Sequence, residues 1–424
     1  MVSTRNAKKD ANNDVVSLSV FINLEGEGHR VGELMQSDGK IYFEYDDAFI
    51  ERGLEISPFK LPLSQRFFKD ISRRELFGLP GVIYDSLPDG WGLLVMDRMF
   101  RSQGIDPDTI SPLARLAYLG DRAMGALRYE PESELFSTDN LKPLDLAELA
   151  RESEMILNGE TDTVIRELLI AGGSPGGARP KALVALNPET NQAAYGFTPL
   201  LEGFDHYVVK FRGFKEHKDI GAVEYVYSLL AKAAAIEMPE THLLHCGEQR
   251  FFAIKRFDRI NQQRLHCHTL AGLLHTDFRM PETSYTHLMK VTDFLTHDQR
   301  QVLEAFRRMV FNIFAFNRDD HAKNFSFVMN KDGQWRLSPA YDLVYSQGYG
   351  GWHTMDIGGT QHPSREQILS LAKQLGIKSA QANAVIETVK DALNQWPELS
   401  RQYDIDKELI TSISKSFNII GRAA

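Results

Sequence analysis

The stretch Asn317-Arg318-Asp319-Asp320-His321-Ala322-Lys323-Asn324 decides how this chain is read. Phosphoryl transfer needs a carboxylate to orient an attacking hydroxyl and oxygen ligands to hold Mg²⁺ against phosphates. The spacing Asp-x-x-x-x-Asn meets both needs, with Asp facing the hydroxyl and Asn the metal. Counting back from Asn324 selects Asp319 for the first place and leaves Asp320 to a loop hydrogen bond. A second metal-binding carboxylate belongs beyond a hairpin. Asp342 in Ser338-Pro339-Ala340-Tyr341-Asp342 fits, after the strands FSFVM and WRLSP joined by KDG. In isolation the same Asp and Asn residues also read as helix caps or loop builders. The carboxylates already fill the reactive roles, so His321 reads as a structural hydrogen-bonder and not as a base.

Upstream, Gly172-Gly173-Ser174-Pro175-Gly176-Gly177-Ala178-Arg179-Pro180-Lys181 is the densest glycine segment. Glycines let backbone N–H groups approach a phosphate, and Arg179 and Lys181 add positive charge. The spacing matches no standard phosphate-loop pattern, and a plain turn is the competing reading. Pro180 removes one backbone donor. Lys210 ends the strand HYVVKF, and Glu224, on the following helix, is placed to pair with it; a solvated surface charge is the alternative for each. Ile254 to Arg259 runs extended at a seam between strands and helices, where backbone groups can meet an adenine edge or simply connect two lobes.

The 424 residues suffice for two or three packed subdomains. A net charge of −9 gives no whole-molecule footprint for nucleic acid. Cys246 and Cys267 lack the spacing of a disulfide framework or a zinc site. The opening MVSTRNAKKDANND is polar and reads as a disordered leader, not a secretory signal. No run of about 18 apolar residues predicts a membrane span, so a cytoplasmic protein is expected. Strand patterns dominate the first half and helical patterns the second. The polar, proline-bearing stretch 131–143 reads as a linker.

Taken in order, these pieces resemble the HipA-like serine/threonine kinases, the toxin component of bacterial toxin–antitoxin pairs. The likeness runs over about residues 15–400. It is carried by Tyr84-Asp85-Ser86-Leu87-Pro88-Asp89-Gly90, Gly120–Leu127, Gly177–Lys181, Val209-Lys210-Phe211, Arg256–Arg259, Asp319–Asn324 and Pro339–Asp342. The resemblance implies an α+β, two-lobed, protein-kinase-like fold. Its parts would be an N-terminal family-specific subdomain (15–135), an ATP-binding sheet-rich lobe (144–258) and a helical catalytic lobe (259–424). It implies Asp319 as the catalytic aspartate, Asn324 and Asp342 as Mg²⁺ ligands, and Lys210 on the ATP phosphates. Gly177, Ala178, Arg179 and Lys181 would form the phosphate loop, the backbone of Lys255 and Phe257 would meet adenine, and His321 would lie on the nucleotide side. Ser174 falls where the family places an autophosphorylated serine. The implied partners are a protein substrate with a Ser or Thr hydroxyl and a small DNA-binding antitoxin, with DNA reached only through it. A small-molecule phosphotransferase and a catalytically silent partner of a repressor remain the other readings.

Overall fold

Alternation builds the first sheet. In strand β1 (Ser17–Leu24), Leu18, Val20, Ile22 and Leu24 are buried and the residues between them are not. β2 (Glu27–Ser37) buries Val31, Gly32 and Leu34, β3 (Lys40–Tyr45) repeats the alternation, and β4 (Phe67–Phe68) and β5 (Leu127–Glu130) close an antiparallel sheet ordered β4-β3-β2-β1-β5. The computed structural model describes residues 16–24, 26–69, 74–133, 143–161, 164–172, 176–196, 200–260 and 263–422. The leader, Ser174 with Pro175, and most of the 131–143 linker lie outside the described residues.

A second antiparallel sheet comprises β6 (Lys181–Asn187), β7 (Gln192–Tyr195), β8 (Asp205–Lys210), β9 (Thr241–Cys246) and β10 (Gln249–Lys255), ordered β7-β6-β8-β10-β9. Helix Ile220–Ala233 lies against β10. Gly221 permits that approach, since a Cβ there would come 2.4 Å from the Arg250 carbonyl oxygen. After a short hairpin of β11 (Arg259–Ile260) and β12 (Gln263–Arg264) comes a third sheet. It contains β13 (His266–Thr269), β14 (Ser326–Met329) and β15 (Trp335–Leu337). The hairpin read from FSFVM and WRLSP therefore supplies the central and one edge strand of a three-stranded sheet.

Helices Tyr285–Thr296 and Gln299–Phe314 are capped by Ser284 and Asp298, whose side chains accept backbone N–H bonds. The second ends at Ala315, Phe316 turns into the left-handed region (φ 55), and the chain enters the Asn317–Asn324 loop. Four further helices, Arg365–Gln374, Ser379–Leu393, Trp396–Gln402 and Lys407–Arg422, complete the helical part.

Among the described residues, three apolar clusters result: one under the first sheet, one under the second, and one among the helices. Helix Gly90–Ser102 belongs to two of them. Met96, Met99 and Phe100 face the first, while Trp91 and Val95 face the second. Burying each of these side chains stabilises the fold by about 2 kcal/mol, so the helix joins the N-terminal unit to the second sheet.

Candidate active site

The cleft lies where the three parts meet. Lys181 and Lys210 stand opposite each other on β6 and β8. Both side chains are buried. Lys210 Nζ donates to Glu224 Oε1 and, at 2.5 Å, to Asp342 Oδ1. Glu224 is 1% exposed and takes a second cation, Arg179, on its other oxygen. Burial alone would lower the Lys210 pKa, but Asp342 and Glu224 outweigh it and hold it above the ordinary value. Burial would raise Asp342, yet Lys210 and Lys181 hold its carboxyl well below the usual range. Asp342 sits at φ 57, and its carbonyl accepts from Asn317 Nδ2 at 3.3 Å.

On the far wall, the turn Ala322–Asn324 places Asn324 Nδ2 2.7 Å from the Asp319 carbonyl oxygen. Asp319 is 63% exposed at its side chain, with His321 Nε2 3.9 Å away. Partial desolvation, then the like charges of Asp342 and Asp320, raise its pKa, a shift that solvent damps. Asp320 is fully buried. It accepts from Tyr285 Oη (2.6 Å), His353 Nδ1 (2.8 Å) and Thr354 N (2.7 Å).

Of the residues singled out above, Gly177, Lys181, Lys210, Lys255, Phe257, His321, Asn324 and Asp342 line the cavity, and Asp319 stands beside it. Ala178 and Arg179 do not line it. Arg179 is turned away because the buried Glu224 needs its charge, and it also reaches Glu216 at 3.3 Å and the Phe211 carbonyl at 2.8 Å. Among the described residues, the hydrogen bond read for His321 is not found at the buried Nδ1, and the ring packs 5.2 Å from Phe278. The Lys255 N–H is already bonded to the Glu240 carbonyl (2.9 Å) and the Arg256 N–H to that of His206 (2.8 Å). Phe257 stacks on Tyr341 at 5.5 Å.

Sequence reasoning gave no role to the groups that bring in the N-terminal unit. Asp89, beside Asp85, Ser86 and Leu87 in the cavity wall, accepts from Gly177 N and from Lys323 Nζ (2.7 Å). Asp258, fully buried, gathers Arg256 (2.7 Å), Arg259 (2.6 Å) and the N–H of Gly125 (2.7 Å). Asp85 takes His268 Nδ1 at 2.6 Å, and His268 Nε2 lies 3.0 Å from Ser57 Oγ. Ser57 and His268 are fully buried, so the serine and histidine of this Ser-His-Asp array are closed to solvent and the array is a joint. The signal available was the pairing of motifs: Gly120–Leu127 meets Arg256–Arg259, and Leu87–Gly90 meets both flanking loops.

Residues 173–396 match the HipA-like C-terminal domain and residues 22–130 the HipA N-terminal domain. The chain belongs to the HipA-like family. A chain of the solved Shewanella oneidensis complex of HipA, HipB and operator DNA superposes on this HipA-like chain with a TM-score of 0.69. The match covers 95% of each chain at 17% identity, and it shows the fold. The architecture is thus the kinase-like α+β arrangement, with a HipA-specific N-terminal unit. Among sequences, the serine/threonine-protein kinase toxin HipA of Shewanella oneidensis is 24% identical over 284 residues, 61% of each protein. A putative kinase of Haemophilus influenzae is 28% identical over 195 residues, 39% of this chain and 57% of that protein. A putative kinase of Sinorhizobium fredii is 25% identical over 364 residues, 77% of this chain and 78% of that one. The chain thus spans about three fifths of the length of the first two relatives. Among the described residues, no helix is long and apolar enough to cross a membrane.

Proposed function

We propose that this chain is an ATP- and Mg²⁺-dependent serine/threonine protein kinase, the toxin of a toxin–antitoxin pair, acting in the cytoplasm. The observation that carries the reading is Lys210, whose Nζ links Glu224 to Asp342 across from the Asp319–Asn324 loop. Three segments far apart in sequence thereby meet at one cleft with the groups that phosphoryl transfer needs.

Asp319, open to solvent, orients the acceptor hydroxyl and takes its proton. Lys210 and Lys181 bind phosphate oxygens beside the Gly176–Gly177 turn, whose Gly177 N–H is held by Asp89. The adenine edge meets the Lys255 carbonyl and the Phe257 N–H, since the Lys255 and Arg256 N–H groups are already paired. The donor set suits Mg²⁺: Asp342 keeps Oδ2 beside its lysine-bound Oδ1, and the Asn324 amide turns its N–H to the Asp319 carbonyl, leaving Oδ1 as the acceptor end. Bound Mg²⁺ would supply charge neutralisation at the phosphates. Ser174 is the proposed autophosphorylation site.

The Shewanella relative was solved with HipB and operator DNA. We extend that arrangement to a small DNA-binding antitoxin here, with DNA contacted through it, which the net charge of −9 supports. Expression without an antitoxin tests the toxin reading. Wild type is expected to arrest growth and Asp319→Asn to be harmless; equal toxicity of the two would contradict it.

A further inference from the structure

We propose that Asp89 is a positioning residue by which the N-terminal unit fastens the glycine loop to the Asp319–Asn324 loop. The proposal rests on reading the cleft as a nucleotide site. Asp89 occupies the N-cap position of helix Gly90–Ser102 with extended backbone (φ −122, ψ 178), yet its side chain makes no cap bond. An Asp at that position ordinarily accepts from its own helix, a contact contributing about 1 kcal/mol. Here the carboxylate is turned outward. Oδ1 accepts the Gly177 N–H, and Oδ2 accepts Lys323 Nζ at 2.7 Å.

The surroundings hold this arrangement from both sides. The Trp91 N–H donates to the Gly177 carbonyl at 3.0 Å, so residues 89 and 91 grip both polar groups of one glycine. Gly90 has φ +46, and a Cβ there would lie 2.7 Å from the Gly177 carbonyl, so only glycine allows this approach. Gly177 itself has φ +97, a conformation other residues rarely adopt. On the other side, Lys323 Nζ lies 4.8 Å from the rings of both Tyr84 and Phe278, which confine it. Asp89 and Lys323 are both buried at their side chains (8% and 10% exposed), so their pairing is little screened. Neither has a part in the proposed transfer chemistry. Together they set the distance between the loop that holds phosphates and the loop that holds the acceptor.

Two measurements on the full chain test this. Amide hydrogen exchange without nucleotide reads the fastening directly. Asp89→Asn keeps the shape but removes the carboxylate charge and one of its two acceptors, so exchange over residues 176–181 should accelerate roughly tenfold or more. ATP titration and steady-state kinetics read the consequence: KM for ATP rises about tenfold while kcat at saturating ATP changes by less than about threefold. Lys323→Gln breaks the other end, and the double variant should weaken ATP binding no further than the worse single one. Unchanged exchange in Asp89→Asn, or additive losses in the double variant, would overturn the proposal. Should Asp89→Asn fail to fold, Lys323→Gln alone decides: accelerated exchange over 176–181 supports the fastening, and wild-type exchange refutes it. Should wild type bind no ATP, the nucleotide reading fails, and exchange still decides the fastening.

Discussion

Lys181 and Lys210 face each other across one strand pair, where like charges ordinarily repel. The two are held differently. Lys210 has two carboxylates and stays charged. Among the described residues, Lys181 donates to the Gly176 carbonyl oxygen, and desolvation pushes its pKa down to about 8, against the counter-effect of Asp342. Its charge therefore disappears as pH rises through about 8. ATP affinity of the wild type should fall across that range more steeply than that of Lys181→Met, read by titration at a series of pH values. Stability carries the opposite sign. Between about 8 and the ordinary 10.5 the unfolded chain holds a proton that the folded chain has released, so unfolding free energy rises with pH there. Lys181→Met should lose that rise in denaturant titrations; the same rise in both proteins would show that Lys181 is not its source. Asp319, Asn324 and Asp342 were legible because their spacing is local. Asp89 was not, since its partners lie 88 and 234 residues away and Leu87-Pro88-Asp89-Gly90 looks like any turn.

Among the elements, the segment after Asp342 depends on Asp320. That buried carboxylate holds His353 and Thr354 to the loop carrying Asp319, and Ser346 pairs with Phe316 (2.9 Å) and Arg318 (3.2 Å). Asp320→Ala leaves two buried donors and one half-buried N–H unpaired, a cost of about 3 kcal/mol or more. Limited proteolysis should then cut within residues 343–356 faster than in wild type, with activity falling in parallel. Resistance equal to wild type would mean the segment is held by other contacts. Strands with apolar alternation or a short apolar run were readable from sequence, as β1 and β14 respectively show. β13 was not, because its pattern is His-Cys-His-Thr and the buried positions are the histidines. His266 Nε2 meets the Ile56 carbonyl at 2.9 Å and His268 is held by Asp85 and Ser57, partners that only the folded N-terminal unit supplies.

Across the whole molecule, Asp85, Asp89 and Asp258 are among the carboxylates that join the N-terminal unit to the rest, and Asp121 adds a more exposed pair with Arg264 at 2.6 Å. Asp258 is the most enclosed, and despite desolvation Arg256 and Arg259 hold its carboxyl far below the usual range. Asp258→Ala strands two buried guanidinium groups, and about 3–5 kcal/mol of stability should be lost in denaturant unfolding. A loss under about 1 kcal/mol would show that solvent reaches the arginines. The broad division into a sheet-rich first half and a helix-rich second half was visible in sequence, but not which core each helix serves. Helix Ile220–Ala233 sits between strands of the second sheet in chain order, yet Ala222, Val226, Tyr227 and Leu230 belong to the helical cluster. Periodicity shows that a helix has an apolar face and is silent on what covers it. The central claim, phosphoryl transfer to protein, is tested most directly with γ-labelled ATP and Mg²⁺ added to the purified chain and a cell lysate. The account predicts label on serine or threonine, on this chain or another protein, falling at least about 100-fold in Asp319→Asn. No labelled protein, equal labelling by the variant, or label on a metabolite alone would contradict it.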